Sequence, residues 1–355
     1  MSGAALGVAV IGAGSIADFH LTSYAANPEV RLVGIHDLNL DRARSVAAAY
    51  GAQRIYETLD ELLTDPAVEA VSICTWNDSH SRLAVAALDA GKHVLVEKPL
   101  SRTLAEAEDV QRAVERNDRH LQVGFVRRFG QNARTLKRFV DGGTLGDVYF
   151  AKATNVRRIG NPGGWFADSA RSGGGPLVDI GVHVVDLCWY LMGAPKPVTV
   201  SANSYTKLGN RANVTNLKRY RVADSNPDDN TVEDMVNALV RFDDGSSLLL
   251  DTSYSLHAVD DDLHVSVFGD RGGAELEPSL KIVTEENDTI LRIEPQLDHP
   301  SFGMEEGFAT ELAYFVELCR DRVPDVATAA QGVEVMRMIT AMYESARLGR
   351  EIDLR

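Results

Sequence analysis

Over the first third of the chain, apolar runs of strand length alternate with segments whose apolar residues recur at helical intervals. The runs are 6–11, 30–36, 54–56, 68–74, 92–96 and 119–125; the helical segments are 15–26, 40–50, 58–64, 80–90 and 103–117. This alternation predicts βαβ units and a parallel sheet with right-handed crossovers. Asp41, Thr58 and Ser101/Thr103 stand where helices should start, and Gly51 and Gly91 where they should stop. Near residue 126 the pattern changes to longer strand-like runs at 147–158, 198–207, 233–242, 246–255 and 262–268. Asp243-Asp244-Gly245 marks a hairpin between two of them. A mainly antiparallel sheet with helices on one face is expected. Leu248, Leu249 and Leu250 interrupt the alternation, which leaves two readings: a second face covered by a partner copy, or a sheet buried within its own domain. Two amphipathic helices end the chain, carried by Phe308, Leu312, Phe315 and Cys319 and by Val333, Met336, Ile339 and Met342. The implied class is α/β, with a doubly wound parallel sheet over 1–125 and an α+β domain over 126–355.

The stretch Gly12-Ala13-Gly14-Ser15-Ile16-Ala17 joins the first strand to the first helix. Gly12 permits a tight turn, Gly14 lets backbone approach a pyrophosphate, and Ala17 is small enough for helix–strand packing. Ser15 and Ile16 open the helix, whose N–H groups and positive dipole end suit phosphate. Asp37 ends the second run, about 20 residues on, where a carboxylate can accept from a ribose 2′-hydroxyl. The bland alternative is a tight turn of any α/β protein; with Asp37 in place, a Rossmann dinucleotide site is the preferred reading. Asp37 favours NAD over NADP because it repels a 2′-phosphate, although Arg42 and Arg44 stand close in sequence.

In a doubly wound order the loops after the fourth and fifth strands border the cofactor crevice. These carry Thr75, Trp76, Asn77 and His80, and Glu97, Lys98 and Pro99. Trp76 can cover an apolar cofactor face. His80 either packs helix 80–90 or lines the crevice, and the second is preferred. Arg127 and Arg128 follow the sixth strand; one is expected to reach the site and the other to be solvated.

Composition narrows the classes. The chain has 355 residues, 45% apolar and 25% charged, with a net charge of −15. That is enough for two cores, and too acidic for a nucleic-acid footprint. No apolar run is long enough to span a membrane and no secretory signal is visible. Cys74, Cys188 and Cys319 are isolated in apolar segments, as in a reducing cytoplasm. No Cys/His spacing suggests a metal site.

Three residues suit proton and hydride chemistry on an alcohol. A neutral His183 can take the hydroxyl proton. Lys98 can hold the same oxygen as it gains charge. Asp179 lies one helical turn from His183 and can orient substrate or base; with Asp186 they fall at i, i+4 and i+7 on one face, after Gly173-Gly174-Gly175. Each also has a plain alternative: a surface lysine, an N-cap, a core histidine. Trp165, Tyr254 and the polar segment 208–232, with Arg211, Lys218, Arg219 and Arg221, are candidates for shaping a pocket.

Taken together, these motifs resemble those of the Gfo/Idh/MocA oxidoreductases, a family that includes inositol dehydrogenases and glucose–fructose oxidoreductase. The similar stretches are Gly12–Ala17, Glu97-Lys98-Pro99, Gly124-Phe125-Val126-Arg127-Arg128-Phe129, and Gly173–Gly175 with Asp179, Gly181, His183 and Asp186. The resemblance spans nearly the whole chain, and departs at Thr75-Trp76-Asn77, where members often carry Thr-Pro. It implies a Rossmann domain and a large open, mostly antiparallel sheet. It implies tightly held NAD or NADP and a polyol or sugar substrate; the residues expected to touch that substrate are Lys98, Arg127, Trp165, Asp179, His183 and Tyr254, core packing accounting for Trp165 and Tyr254 equally well. Lys98, Asp179 and His183 are then catalytic. It further implies a cis peptide at Lys98–Pro99 and a homodimer or homotetramer built through the sheet. Two rival functions remain open: an NAD-dependent redox glycoside hydrolase, and a non-catalytic nucleotide sensor.

Overall fold

The computed structural model describes residues 5–211, 213–217 and 230–355. It divides into two units, Met1–Val126 with Met304–Val333, and Arg127–Gly303 with Glu334–Arg355.

In the first unit the apolar runs become β1 (Leu6–Ile11), β2 (Val30–His36), β3 (Arg54–Tyr56), β4 (Ala70–Ile73), β5 (His93–Glu97) and β6 (Leu121–Gly124). Between them lie α1 (Ser15–Ala26), α2 (Leu40–Tyr50), α3 (Leu59–Thr64), α4 (Asn77–Asp89) and α5 (Leu104–Arg116). Among the described residues the strands form a six-stranded parallel sheet ordered β3-β2-β1-β4-β5-β6. Every residue of β1 and β4 is buried, which is why those runs are continuously apolar rather than alternating. The order reverses at β1/β4, so the loops after these strands open at the sheet's switch point.

Local signals set most helix ends. Thr58 and Glu61 form a capping box on α3, and Thr103 caps α5. Asn39, not Asp41, caps α2; Asp41 sits in its first turn, where the dipole favours a carboxylate. One boundary moves the site. α4 begins at Asn77 rather than 80, because Trp76 is extended and Asp78 supplies an acidic first turn. The loop after β4 therefore shrinks to Cys74–Trp76, and Asn77 and His80 are helical.

The division at 125/126 assigns too much to the second domain. The helix Met304–Leu318 belongs to the first unit, where Phe19 of α1 stacks on Phe308 at 4.8 Å. The start of helix Ala329–Leu348 joins it: a Cβ on Gly332 would lie 2.8 Å from Leu100 and 3.1 Å from Val123. An amphipathic pattern shows that a face is buried, not which partner buries it.

The second unit contains β7 (Val148–Val156), β8 (Pro197–Tyr205), β9 (Met235–Phe242), β10 (Ser247–Ser253), β11 (Asp262–Gly269), β12 (Gly272–Glu277), β13 (Lys281–Glu286), β14 (Thr289–Ile293) and β15 (Ile352–Asp353). Its helices include α6 (Gln131–Asp141) and α7 (Val182–Leu191). Among the described residues the sheet is nine-stranded, in the order β14-β13-β12-β11-β7-β10-β9-β8-β15, antiparallel except for β7 against β10. The Asp243-Asp244-Gly245 hairpin forms, with Phe242 N–H donating to Ser246 O at 2.9 Å. Strands β12–β14 escape the pattern because Gly272-Gly273 opens β12, exposed Glu285 and Glu286 end β13, and β14 is largely exposed along its length.

Helix α7 packs on one face, across β7, β10 and β11. Leu248 and Leu250 are buried while Leu249 is exposed, so alternation survives the leucine run. The register lines Leu249 up with Lys152, and Phe150 with Phe268. Phe150 and Phe268 stack at 5.6 Å, and Leu249, Phe268 and Val283 are exposed in the single chain. Cys74 and Cys188 are buried, but Cys319 is only partly so. No helix among the described residues is long and apolar enough to cross a membrane.

Candidate active site

The turn after β1 is built as its residue types require. Gly12 has φ +93°, and a Cβ there would lie 2.7 Å from the Cys74 carbonyl oxygen. Gly14 is different. Its backbone is extended at φ −81°, and a Cβ there would meet nothing within 4 Å. What the missing side chain preserves is open space before α1. Gly14 is also the N-cap and gives no side-chain cap, so first-turn N–H groups remain available. Ser15 is exposed, Ile16 half-buried and Ala17 fully buried against the sheet.

Asp37 is 6% exposed and closes the turn from below. Its Oδ2 accepts from Ala13 N–H at 2.7 Å; its Oδ1 accepts from Asn39 N–H at 2.7 Å and Arg42 Nη2 at 2.8 Å. Burial pushes this carboxyl up, but the bonds from Arg42, Ala13 and Asn39 outweigh it and hold it below the usual range. Arg44 pairs with Asp41 instead. A cleared backbone, an uncapped helix start and an ionised carboxylate fit a dinucleotide with a free ribose 2′-hydroxyl.

The neighbouring loops hold surprises. Trp76 is exposed and caps α4 through its backbone. Thr75 is half-buried, its hydroxyl accepting from Ser79 Oγ at 2.6 Å. Asn77 is buried. His80 is only 1% exposed, so it does not line a crevice. Its Nδ1 lies 2.7 Å from Pro99 O and its Nε2 3.1 Å from Thr75 O. Burial pushes this imidazole down, against the two carbonyls. Glu97 also turns inward: His20 Nε2 meets its Oε1 at 2.9 Å. Lys98 is half-buried, and Lys98–Pro99 is cis, as the resemblance implies.

In the second unit, Gly173 has φ +82° and ends the one-turn helix Ser169–Ser172. Gly175 and Leu177 N–H donate to the two carboxylate oxygens of Glu233 at 2.9 and 3.2 Å, and Tyr343 OH donates to Glu233 Oε1 at 2.9 Å. The chain then makes a π-helical turn, Leu177–Gly181, before α7. Such turns re-aim side chains and recur at functional sites. Asp179 sits on the turn and accepts from Tyr254 OH at 2.7 Å through Oδ2. Tyr254 is 1% exposed; burial, then the Asp179 charge, push its phenol well up, so it stays a donor. Tyr254 is thus the support of Asp179 rather than a pocket wall. His183 follows on α7, half-buried, with Nδ1 turned inside.

Asp186 does not join this pair. It is buried and grips Arg128 in a two-point ion pair, Nη2–Oδ1 2.6 Å and Nε–Oδ2 2.9 Å, with the guanidinium 4.6 Å from the Tyr190 ring. The π turn breaks the regular i, i+4, i+7 spacing. Neither Arg127 nor Arg128 is solvated. Arg127 lies 4.7 Å over the Phe302 ring and 3.8 Å from Glu277, and burial pushes its guanidinium down. Trp165 stacks on Phe166 at 3.9 Å in a short 3₁₀ turn. Of the polar segment, Arg211 donates to Arg158 O and Leu256 O at 2.7 and 3.2 Å. Lys218, Arg219 and Arg221 lie outside the described residues. Glu233, Tyr343 and His20 are the site residues that sequence reasoning missed; a Glu-Asp pair opening an apolar strand was the one visible signal for Glu233.

Known proteins place the chain. A model described as the oxidoreductase family, NAD-binding Rossmann fold, matches residues 6–125, and one described as the GFO/IDH/MocA C-terminal domain matches 133–275. The chain is 30% identical over 357 residues to D-glucoside 3-dehydrogenase of Escherichia coli (strain K12), covering 100% of this chain and 99% of that protein. It is 34% identical over 186 residues to myo-inositol 2-dehydrogenase of Thermotoga maritima, covering 52% and 54%. The solved structure of levoglucosan dehydrogenase in complex with NADH matches with a TM-score of 0.85 at 23% identity over 99% of both chains. The chain belongs to the Gfo/Idh/MocA oxidoreductase family, with an NAD-binding Rossmann fold in its N-terminal part.

Proposed function

We propose that the enzyme oxidises a secondary hydroxyl of a sugar, sugar derivative or cyclitol with NAD⁺. The observation that carries this reading is the Tyr254–Asp179 bond on a π turn that runs directly into the helix carrying His183, in a chain similar over its whole length to a glucoside dehydrogenase. NAD⁺, when bound, supplies the hydride acceptor. The first unit would hold it, with Gly12, Gly14 and the uncapped start of α1 toward its phosphates and Asp37 toward its ribose. His183 removes the hydroxyl proton, and Asp179, fixed by Tyr254, orients that hydroxyl. Lys98 hydrogen-bonds the oxygen as it becomes alkoxide. In this reading Arg127 orients a further substrate oxygen and Trp165 offers an apolar ring face.

The enzyme works in the cytoplasm as a homodimer or homotetramer, and the exposed sheet face with Phe150, Phe268, Leu249 and Val283 is the surface it assembles through. Static light scattering after gel filtration checks the assembly. The deciding assay follows NADH absorbance with methyl β-D-glucoside, levoglucosan and myo-inositol, each with NAD⁺ and NADP⁺. Net NADH formation is expected, and products released without it would favour a redox glycoside hydrolase. His183→Ala should lower kcat by about 10²–10⁴-fold; full activity in that variant ends the role assignment.

A further inference from the structure

Two buried imidazoles flank the segment that carries Lys98. On one side is His20 of α1, fully buried, with Nε2 2.9 Å from Glu97 Oε1. The other oxygen of Glu97 accepts the Lys98 backbone N–H at 3.3 Å. Glu97 is itself enclosed, since a Cβ on Gly124 of β6 would lie 3.2 Å from both its Cα and its carboxylate. On the other side is His80 of α4, whose Nδ1 faces Pro99 O at 2.7 Å. A carboxylate partner selects the Nε2–H tautomer of His20. Its Nδ1 is buried with no hydrogen-bond partner among the described residues, and the imidazole ring centre lies 5.6 Å from that of Phe308 and 6.5 Å from that of Tyr24.

This pair is a poor stability device. A polar couple in the core of a parallel sheet gives up hydration that an apolar pair of equal volume would not. What it does provide is position. The carboxylate of Glu97 can hold the Lys98 amide only while its own oxygens are fixed, and His20 fixes one of them.

We propose that His20 is a positioning residue for catalysis: through Glu97 it sets the backbone from which the Lys98 ammonium reaches the reacting oxygen, with His80 holding the segment from the opposite side. The inference rests on the reading of Lys98 as the group that stabilises the alkoxide. It gives the two histidines different signatures. His20 acts on the lysine segment alone. His80 also faces Thr75 O in the loop after β4, so it touches the nucleotide side too.

The test uses the full chain with His20→Leu, His20→Gln, His80→Leu, Lys98→Met and the double variant His20→Leu/Lys98→Met. Gln retains an amide N–H near the Nε2 position; Leu does not. With methyl β-D-glucoside and NAD⁺, His20→Leu should lower kcat about 10–100-fold, while KM and NADH affinity by fluorescence titration stay within about twofold. His20→Gln should recover most of the rate. His80→Leu should weaken NADH binding as well. Because His20 acts through Lys98, adding His20→Leu to Lys98→Met should cost nothing further. A substrate-free measurement runs beside these: the rate at which acetic anhydride acylates Lys98, read by peptide mass spectrometry. In His20→Leu it should change at least about threefold against the other lysines, as the held segment loosens. Unchanged Lys98 reactivity, additive losses in the double variant, or a joint fall in kcat, NADH affinity and Tm would overturn the proposal. Full activity in Lys98→Met would instead overturn the reading of Lys98, and the acylation rate would still report whether His20 holds the segment.

Discussion

Both units present backbone through glycines, and they hold it in opposite ways. The turn Gly12–Ala17 is secured by its own strand, helix and the nearby Asp37, whose Oδ2 bonds Ala13 N–H. The run Gly173–Gly175 is secured from far away: Glu233 takes the Gly175 and Leu177 N–H groups across 58 and 56 positions of sequence, and Tyr343 fixes Glu233 across 110. A local device keeps its shape under almost any substitution elsewhere. A remote one fails when a distant carboxylate is lost. In the first turn, fold and ligand affinity should therefore separate between the two glycines, Gly12 serving the turn itself and Gly14 only the space in front of it, whereas loss of Glu233 should lower stability and rate together.

The sharpest break of this comparison lies within the first turn. Gly12→Ala forces a methyl group to 2.7 Å from a carbonyl oxygen in left-handed backbone. The conformational term alone is about 1–2 kcal/mol. A clear fall in Tm and loss of NADH binding by fluorescence titration are expected. Gly14→Ala meets no protein atom within 4 Å and has ordinary extended backbone. Its Tm should stay unchanged while NADH binding weakens at least about tenfold, because only the ligand's space is filled. A Gly14→Ala protein that binds NADH normally would remove the phosphate from that position.

Glu233→Gln tests the remote device. Gln keeps one acceptor oxygen where the carboxylate served two N–H groups, so one buried donor loses its partner. Such a loss runs to about 1–3 kcal/mol. Thermal unfolding should show a lower Tm together with a kcat reduced up to about 100-fold, since the π turn carrying Asp179 follows directly. Tyr254→Phe is milder. It removes one hydroxyl from Asp179 and should lower kcat about tenfold with little change in Tm. A fall in Tm as large as that of Glu233→Gln would place Tyr254 in the core rather than in the chemistry.

The same contrast explains what the sequence could disclose. The order of β1 to β6, the turn, Asp37 and the Glu97-Lys98-Pro99 loop follow from periodicity and short-range signals, and their positions follow from sheet topology. Two residues in that region were still misplaced. His80 and Glu97 are expected at the crevice, His80 with packing as its alternative, yet each is buried on a specific partner, Pro99 O and His20. In the second unit, Asp179 and His183 were visible as a polar stripe in an apolar helix. The π turn that spaces them and the pairing of Asp186 with Arg128 were not, because both depend on tertiary partners. For Arg127 and Arg128 the sequence predicts one side chain reaching the site and one solvated. Ring faces, Asp186 and Glu277 are what let Arg128 be buried and Arg127 half-buried, and none is adjacent in sequence.

Asp37→Ala should have a smaller effect than the glycine variants, because Arg42 then loses its carboxylate partner and is left half-exposed at the ribose end. The ratio of kcat/KM for NAD⁺ over NADP⁺ should fall by about tenfold, one rim charge contact having changed sign. An unchanged ratio would move cofactor discrimination elsewhere.

The smallest expected effect sets two stacked histidines against each other. His93 and His120 lie 5.4 Å apart in the first unit. Burial pushes His93 down to about 4, with the neighbouring His120 and Arg119 charges adding to it. Burial pushes His120 down too, but hydrogen bonds to Asp321 and Asp325 outweigh it and leave it raised. The signs oppose. A raised histidine contributes stability that is complete below its unfolded pKa, about 6.5, and is lost as pH rises through its folded value. A depressed one does the reverse: from about 6.5 downward the unfolded chain binds a proton that the fold refuses until about 4, so stability drains as pH falls. His93→Gln should flatten the acid side of the Tm–pH curve between those limits. His120→Asn should lower Tm most at pH 5–6 and progressively less toward pH 8. His120 is partly exposed and its carboxylates more so, so its effect should shrink with added salt, while that of His93, which comes mainly from burial, should persist. Equal salt sensitivity in the two variants would mean that charge, not burial, governs both rings.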